Sequence, residues 1–482
     1  MSSQSDAVQT PVPPTGRGGS GRALAAAAFG ASGVFLATFD PTALAVALPT
    51  IAADLQIDLQ SVQWVGLVTM IVTGALLLGT GRLADLAGRK KVFLVGVGVF
   101  ALGALLSALS PNLFVLIVGR AIMGIGAAAL NSMGPALVVG SFSTEMRGRA
   151  LGIVGTVTSI GLVTGPILSG FIVDALGWHA IFFVELPIAG LIILGGLLFL
   201  PETERVRGEG FDIPGAVLMI AWMGPLLFAI TQGNSMGWRS PAIIGLLGAG
   251  IALLAIFIYS QKRARYPTID LSLFRIPSFR APIGASFCGF AALMVTFLLM
   301  PFYLQSVLNL PVQQVGLISA VLPGMMIFIA ILAGWVSDRI GPTLPSTIGL
   351  VLLSVGLVNL GLLDEHSGVG RVVAVLALGG AGLGSFEWTL NSAIVGSLPR
   401  SKLGVATGFL ATARTLGFTT GQAAWATLFS TVVTTSAGTA VALDSPVEAL
   451  VLGFRITFLA AAVLAVLAAA LASMQGRVLS QV

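Results

Sequence analysis

The sequence predicts an all-α membrane protein with 14 transmembrane helices, built as two pseudo-symmetric six-helix bundles plus an inserted helix pair. Three observations predict it. Of 482 residues, 56% are hydrophobic and only 9% charged, against about 25% charged in an average soluble domain, too few to clothe a protein in water. Apolar runs long enough to cross about 30 Å of hydrocarbon recur almost from end to end. These runs lack the period-two alternation of a membrane barrel. Finally, a short polar motif returns at one long offset, so the same unit occurs twice.

Residues 1–22, made of Ser, Pro, Gly and Thr with Arg17 and Arg22, cannot bury a core and read as a disordered cytoplasmic tail. The Ala-rich stretch that follows stays apolar to Leu48, too long for a signal peptide. An amino-terminal bundle, 23–200, is expected to hold helices at 23–48, 62–80, 92–109, 113–140, 150–175 and 179–200. The inserted pair, 212–231 and 241–259, lies within 201–280, which ends in a cytoplasmic linker. A carboxy-terminal bundle, 281–475, follows with helices at 281–306, 314–336, 346–364, 371–396, 404–430 and 451–475, and residues 476–482 form a second cytoplasmic tail. The 61 glycines suit helices that pack closely in lipid.

Basic residues set the orientation. With a cytoplasmic amino terminus, alternate connections hold Arg82, Arg89, Lys90 and Lys91, then Arg147 and Arg149, Arg205 and Arg207, the cluster from Lys262 to Arg280, Arg339, Arg400 and Lys402. The other side holds Arg239, Arg371 and Arg455. The net charge of +5 is therefore a topology signal rather than a nucleic-acid patch, and both termini are expected in the cytoplasm of a plasma (inner) membrane. Trp64, Trp178 and Trp238 fall at outer helix ends, where indoles anchor to the interface. Cys288 alone allows no intramolecular disulfide, and His179 and His366 alone build no metal cluster.

Gly81, Asp85 and Gly88, in the run Gly81-Arg-Leu-Ala-Asp85-Leu-Ala-Gly88-Arg89-Lys90-Lys91, recur as Gly334, Asp338 and Gly341 at an offset of 253. The glycines allow a tight cytoplasmic reversal, and Asp85 can cap a helix start and pair with Arg89. This run resembles the signature of the major facilitator superfamily. Asp40-Pro-Thr-Ala-Leu-Ala-Val-Ala-Leu-Pro49, Arg120-Ala-Ile-Met-Gly124 and Gly161-Leu-Val-Thr-Gly165-Pro166-x-x-x-Gly170 are similar to motifs of its fourteen-helix drug:proton antiporter branch. Trp178-His-Ala-Ile-Phe-Phe-Val-Glu185-Leu-Pro187 and Arg414-Thr-Leu-Gly417-x-x-x-Gly421 also match, although Glu185 stands where that branch usually has Asn. The resemblance implies alternating access driven by a proton gradient, with no cofactor. The loop residues Gly81, Asp85, Gly88, Arg89 and Asp338 are expected to form a conformational latch, with a plain topology-setting loop as the alternative. Gly161, Gly165 and Pro166 allow a close approach and a hinge, with simple packing as the alternative.

Charges inside the bilayer cost roughly 3 kcal/mol each on insertion scales and need a reason. At 1.5 Å per residue, Asp40, Arg120 and Glu185 lie about 12, 10 and 9 Å below the outer ends of their helices. Similar depth lets them meet, and the superfamily arrangement makes Asp40–Arg120 the natural pair. Moving Arg120 toward or away from Asp40 would release or load a proton, since a neighbouring guanidinium favours the ionised carboxylate and a dry cavity disfavours it. The competing reading is a static ion pair. Glu387, in the twelfth helix, is a third candidate for proton coupling and for substrate contact, and Arg414 is a gating residue or a partner for a carboxylate. Phe39, Glu185, Trp222 and Trp425 are candidates for substrate contact, with packing as their alternative.

The leading expectation is a proton-coupled exporter of lipophilic, cationic or aromatic compounds, acting as a monomer whose partners are those molecules, protons and membrane lipids. Export of one endogenous product, such as an antibiotic or a lipid, is the alternative. A membrane enzyme or sensor comes third, because no nucleotide-binding Gly-Lys-Ser/Thr loop follows a strand and no Ser/His/Asp set is visible.

Overall fold

In hydrocarbon a backbone can satisfy its own N–H and C=O groups by coiling on itself, and the apolar runs do so. The structure, a computed structural model, describes residues 17–142, 147–200, 213–264, 276–396, 403–438 and 445–479, with no strand among them. The first helices are α1 (Arg17–Asp54), α2 (Leu59–Val62), α3 (Trp64–Ala87), α4 (Arg89–Ala108), α5 (Leu113–Gly140), α6 (Arg147–Leu176) and α7 (His179–Phe199). Then come α8 (Ile213–Met236) and α9 (Pro241–Arg263). The last set is α10 (Pro277–Phe302), a π-helical turn (Tyr303–Val307), α11 (Val312–Ser319), α12 (Val321–Ile340), α13 (Thr343–Gly361), α14 (Val369–Gly396), α15 (Leu403–Ala437) and α16 (Val447–Leu479).

Among the described residues, twelve helices are long and apolar enough to cross a membrane. The apolar run of α8 is only Val217–Gly233, and α15 is dense in threonine and carries Arg414 and Gln422. The second and tenth expected helices each form from two pieces, α2 with α3 and α11 with α12. α1 starts at Arg17, within the stretch expected as a tail, and runs through Pro41 and Pro49 to Asp54.

Packing follows a repeated scheme. α1 lies on α6 as α10 lies on α15, α4 on α5 as α13 on α14, α3 on α5 as α12 on α14, and α4 on α7 as α13 on α16. Small residues set these crossings. A methyl added at Gly165 of α6 would stand 3.0 Å from the Phe39 carbonyl oxygen of α1, and one at Gly421 of α15 would stand 2.5 Å from the Ala291 carbonyl oxygen of α10. α8 pairs with α9 and leans on α3 and α15 through Met219, Met223 and Leu227. Exposed Leu and Ile side chains, such as Leu102, Leu194, Ile251 and Leu332, coat the outside. A surface so apolar belongs in lipid; this is a multi-pass membrane protein.

The repeated motif is tighter than a loop. Only Gly88 separates α3 from α4, at φ 99°, and Gly341 ends α12 at φ 83°. Asp85 therefore lies in the last turn of α3, just before the single-glycine reversal, and Asp338 in the last turn of α12, before Gly341 and Pro342; the side chains of both lie outside the described residues. Arg89 is the first residue of α4, and Gly81 sits within α3 beside open space. We call this the basic end.

At the opposite end, Trp178 is 3% exposed and donates from Nε1 to Asp54 Oδ2 at 2.8 Å, while His179 Nε2 lies 3.2 Å from the Ser110 carbonyl. Trp178 is thus a buried tie between α1 and α7 rather than an interface anchor. Trp64 is also turned inward, its Nε1 buried against Phe228, and Trp238 alone of the three stays exposed.

Candidate functional site

Among the described residues, two ionic constellations stand inside the helices, and they differ in burial and in their partners. The first joins α1, α5 and α7. Asp40 and Arg120 are 2% and 1% exposed, and their side chains meet as a two-pronged pair. Arg120 Nη1 donates to Asp40 Oδ1 and Nη2 to Oδ2 at 3.0 Å. Nε donates to the Val65 carbonyl of α3 at 3.0 Å, and Nη1 also reaches Met123 Sδ at 3.4 Å. The guanidinium lies 5.7 Å from the Phe182 ring centre on α7, within cation–π range. Thr69 Oγ1 donates to the Arg120 carbonyl at 2.9 Å, locking α3 to the same turn of α5.

Glu185 completes this group. It is 0% exposed and stands beside Asp40 and Arg120, yet neither carboxyl oxygen has a hydrogen-bond donor. The structure thus brings Asp40, Arg120 and Glu185 together, two carboxyl groups against one guanidinium.

The second constellation joins α14 and α15. Arg414 Nη1 donates to Glu387 Oε1 at 3.1 Å, and their side chains are 43% and 13% exposed. Arg414 lies 5.9 Å from the Phe290 ring centre. The Gly380 and Gly384 face beside Glu387 presses on α12, so the carboxylate turns to α15 instead.

Between α1 and α6 on one side and α10, α11, α12 and α14 on the other lies a narrow, partly open cavity. Thr42, Val46, Pro166, Phe297, Met300 and Leu322 are among its walls, and no charged side chain lines it. Ser319, also in the wall, has its hydroxyl without a partner. Phe39 and Trp425 are buried away from this space. Phe39 stacks on Phe35 at 5.6 Å, and Trp425 Nε1 donates to the Ala291 carbonyl at 2.6 Å, pinning α15 to α10. Trp222 belongs to the packing around α8, its Nε1 buried without a partner. The wall aromatic is Phe297, which no motif marks.

Gly161 and Gly165 seat α6 on Thr38 and Thr42 of α1, the helix that carries Asp40. Pro166 lies inside a continuous α6, and its carbonyl faces Gly316 of α11. Among the described residues, four glutamine hydrogen bonds join α1–α7 to the later helices toward the opposite end: Gln60 Nε2 to Ser430 Oγ at 2.6 Å, Gln422 Nε2 to the Gln63 carbonyl at 2.9 Å, Gln305 Nε2 to the Val46 carbonyl at 3.2 Å, and Gln313 Nε2 to Asp174 Oδ2 at 2.5 Å. Sequence reasoning missed all of these glutamines. Their only signal is a polar amide at the rim of an apolar run.

A family model described as Major Facilitator Superfamily matches residues 30–422. The chain belongs to that superfamily. Among its relatives in the superfamily, riboflavin transporter RibZ of Clostridioides difficile is 34% identical over 409 residues, covering 83% of this chain and 87% of RibZ. Multidrug resistance protein Stp of Mycobacterium tuberculosis is 32% identical over 392 residues, covering 81% and 73%. Multidrug efflux pump LfrA of Mycolicibacterium smegmatis is 30% identical over 414 residues, covering 85% and 81%. In fold, the chain is similar to a bacterial homolog of the human lysosomal transporter Spinster, with a TM-score of 0.69, 15% identity, and 97% and 99% coverage. This superfamily member is a membrane transporter of small molecules.

Proposed function

We propose that the protein is a proton-coupled antiporter of the fourteen-helix branch that exports lipophilic compounds with an aromatic or cationic part by alternating access. The observation that carries this reading is the dry Asp40–Arg120 pair on the helix that also walls the cavity. Asp40 is half a turn from Thr42, where Gly165 of α6 seats and the cavity begins. A change of charge in the cluster that Asp40 and Arg120 share with Glu185 is therefore a change of force on the wall of the proposed substrate space. Glu387 and Arg414, a pair less enclosed than the first, supply a second place where a proton or a cationic group can be exchanged.

The repeated packing supports two homologous halves, α1–α7 and α10–α16, with α8 and α9 inserted between them. The four glutamine ties support a state closed at the end we assign to the outside, with the basic end and both termini in the cytoplasm of the plasma membrane. The multidrug names of Stp and LfrA favour broad export. A second reading, transport of one neutral aromatic product, is favoured by the uncharged cavity wall and by RibZ.

Purified protein in liposomes tests both. With ethidium and riboflavin as probes, an imposed pH gradient is expected to accelerate extrusion of ethidium and a protonophore to abolish the effect. Indifference to the gradient removes antiport. Movement of riboflavin alone selects the second reading.

A further inference from the structure

Glu185 is the one ionisable side chain of the buried cluster whose chemistry is incomplete. Asp40 has both oxygens engaged by the Arg120 fork. Arg120 directs its remaining interactions to Val65 and Met123. Glu185 is buried beside this pair with no donor for either oxygen, within reach of Asp40. An ionised carboxylate in that position has neither water nor a donor, and faces a second carboxylate. A protonated Glu185 reverses each of these defects: its O–H can donate to Asp40, and one carboxylate is left for one guanidinium.

We propose that Glu185 holds the proton of this cluster, while Asp40 stays ionised as the fixed counter-ion of Arg120. Use of that proton for transport rests on the antiport reading given above. Among the described residues, no titratable group other than Asp40 and Arg120 faces Glu185. α7 packs on α4, α1 and α6. On α1 the facing group is Asp40, and Arg120 reaches in from α5. The ionisable residues of α4 (Arg89, Lys90, Lys91) lie in its first turn, and those of α6 (Arg147, Arg149, Asp174) lie in its end turns. His179, on α7 itself, sits at the helix start against Ser110.

With Glu185 fully buried, the proton is sealed in. When the halves rock and water reaches α7, the Glu185 O–H bond breaks, the proton passes to that water, and the new carboxylate shares Arg120 with Asp40. Reprotonation from the other side restores the neutral acid. The Arg120 fork is suited to this sharing, because a planar guanidinium can present its N–H groups to two acceptors.

Two measurements test the assignment without a transported substrate. Infrared spectra of purified protein at neutral pH are expected to contain a protonated-carboxyl band that is lost in Glu185→Gln, retained at shifted frequency in Glu185→Asp, and unchanged in the exposed control Glu448→Gln. In wild-type protein, a lipophilic carbodiimide, which labels protonated carboxyls, is expected to modify the peptide containing Glu185 and spare the one containing Asp40. Survival of the band in Glu185→Gln, or labelling of Asp40 with none at Glu185, overturns the proposal. These readouts are separate from gradient-driven efflux, so failure of antiport and failure of the Glu185 assignment are told apart.

Discussion

Arg120 and Arg414 are two arginines within the helices that each meet a carboxylate, and the protein handles them oppositely. Arg120 is desolvated and answered by four acceptors, whereas Arg414 keeps 43% of its side chain exposed. Removing one partner of a buried pair costs about 3–5 kcal/mol, and the cost falls as a partner becomes accessible, toward about 0–1 kcal/mol for a fully exposed pair. Arg120→Gln is therefore expected to lower the thermal unfolding midpoint in detergent sharply and Arg414→Gln barely; equal losses would contradict the contrast. On the proposed antiport, Asp40→Asn is expected to reach the membrane yet lose gradient-driven efflux, measured in liposomes against wild type. Asp40, Arg120 and Glu185 were legible as residues that meet, because similar depth and the cost of charge in lipid single them out. The aromatic candidates were not: an indole in an apolar helix reads alike whether it lines a cavity or, like Trp425, fixes one helix to another.

At the scale of elements, helix existence was readable because lipid leaves an apolar run no other way to satisfy its backbone. Helix ends were harder, since α1 continues through Pro49 and α16 begins four residues before its expected start. The Gly88 junction shows why: a one-residue reversal leaves no polar loop to mark it. A side chain at φ 99° is strained by about 1–3 kcal/mol, so Gly88→Ala is expected to reduce stability by that amount in a denaturation series, with wild-type stability as the contrary result. Gly165→Val drives a branched side chain against the Phe39 carbonyl. Overpacking of this kind costs about 1–3 kcal/mol, and the expected readout is a lower unfolding midpoint together with slower efflux. Gly224, with open space around it, provides the neutral comparison.

For the whole molecule, the offset of 253 between Gly88 and Gly341 predicts a repeat, and α1 packs on α6 as α10 packs on α15. The ionic groups do not repeat with it, which is why no periodicity led to them. If the glutamine ties mark one closed state of a cycle, a Gln313→Cys, Asp174→Cys pair in a Cys288→Ser background is expected to stop transport when bridged by a short bis-thiol reagent carrying a cleavable disulfide, and to recover on reduction. Undiminished transport in the bridged protein would show that this end need not part.

Three of those four ties run between neutral amides, hydroxyls and carbonyls. Such a bond returns only about 1 kcal/mol over its hydrated alternative, and it presents no ion for salt to screen. Thermal agitation alone is enough to undo fasteners of this kind one at a time. The gradient would then act as a ratchet on a gate that already swings, choosing direction rather than supplying the push.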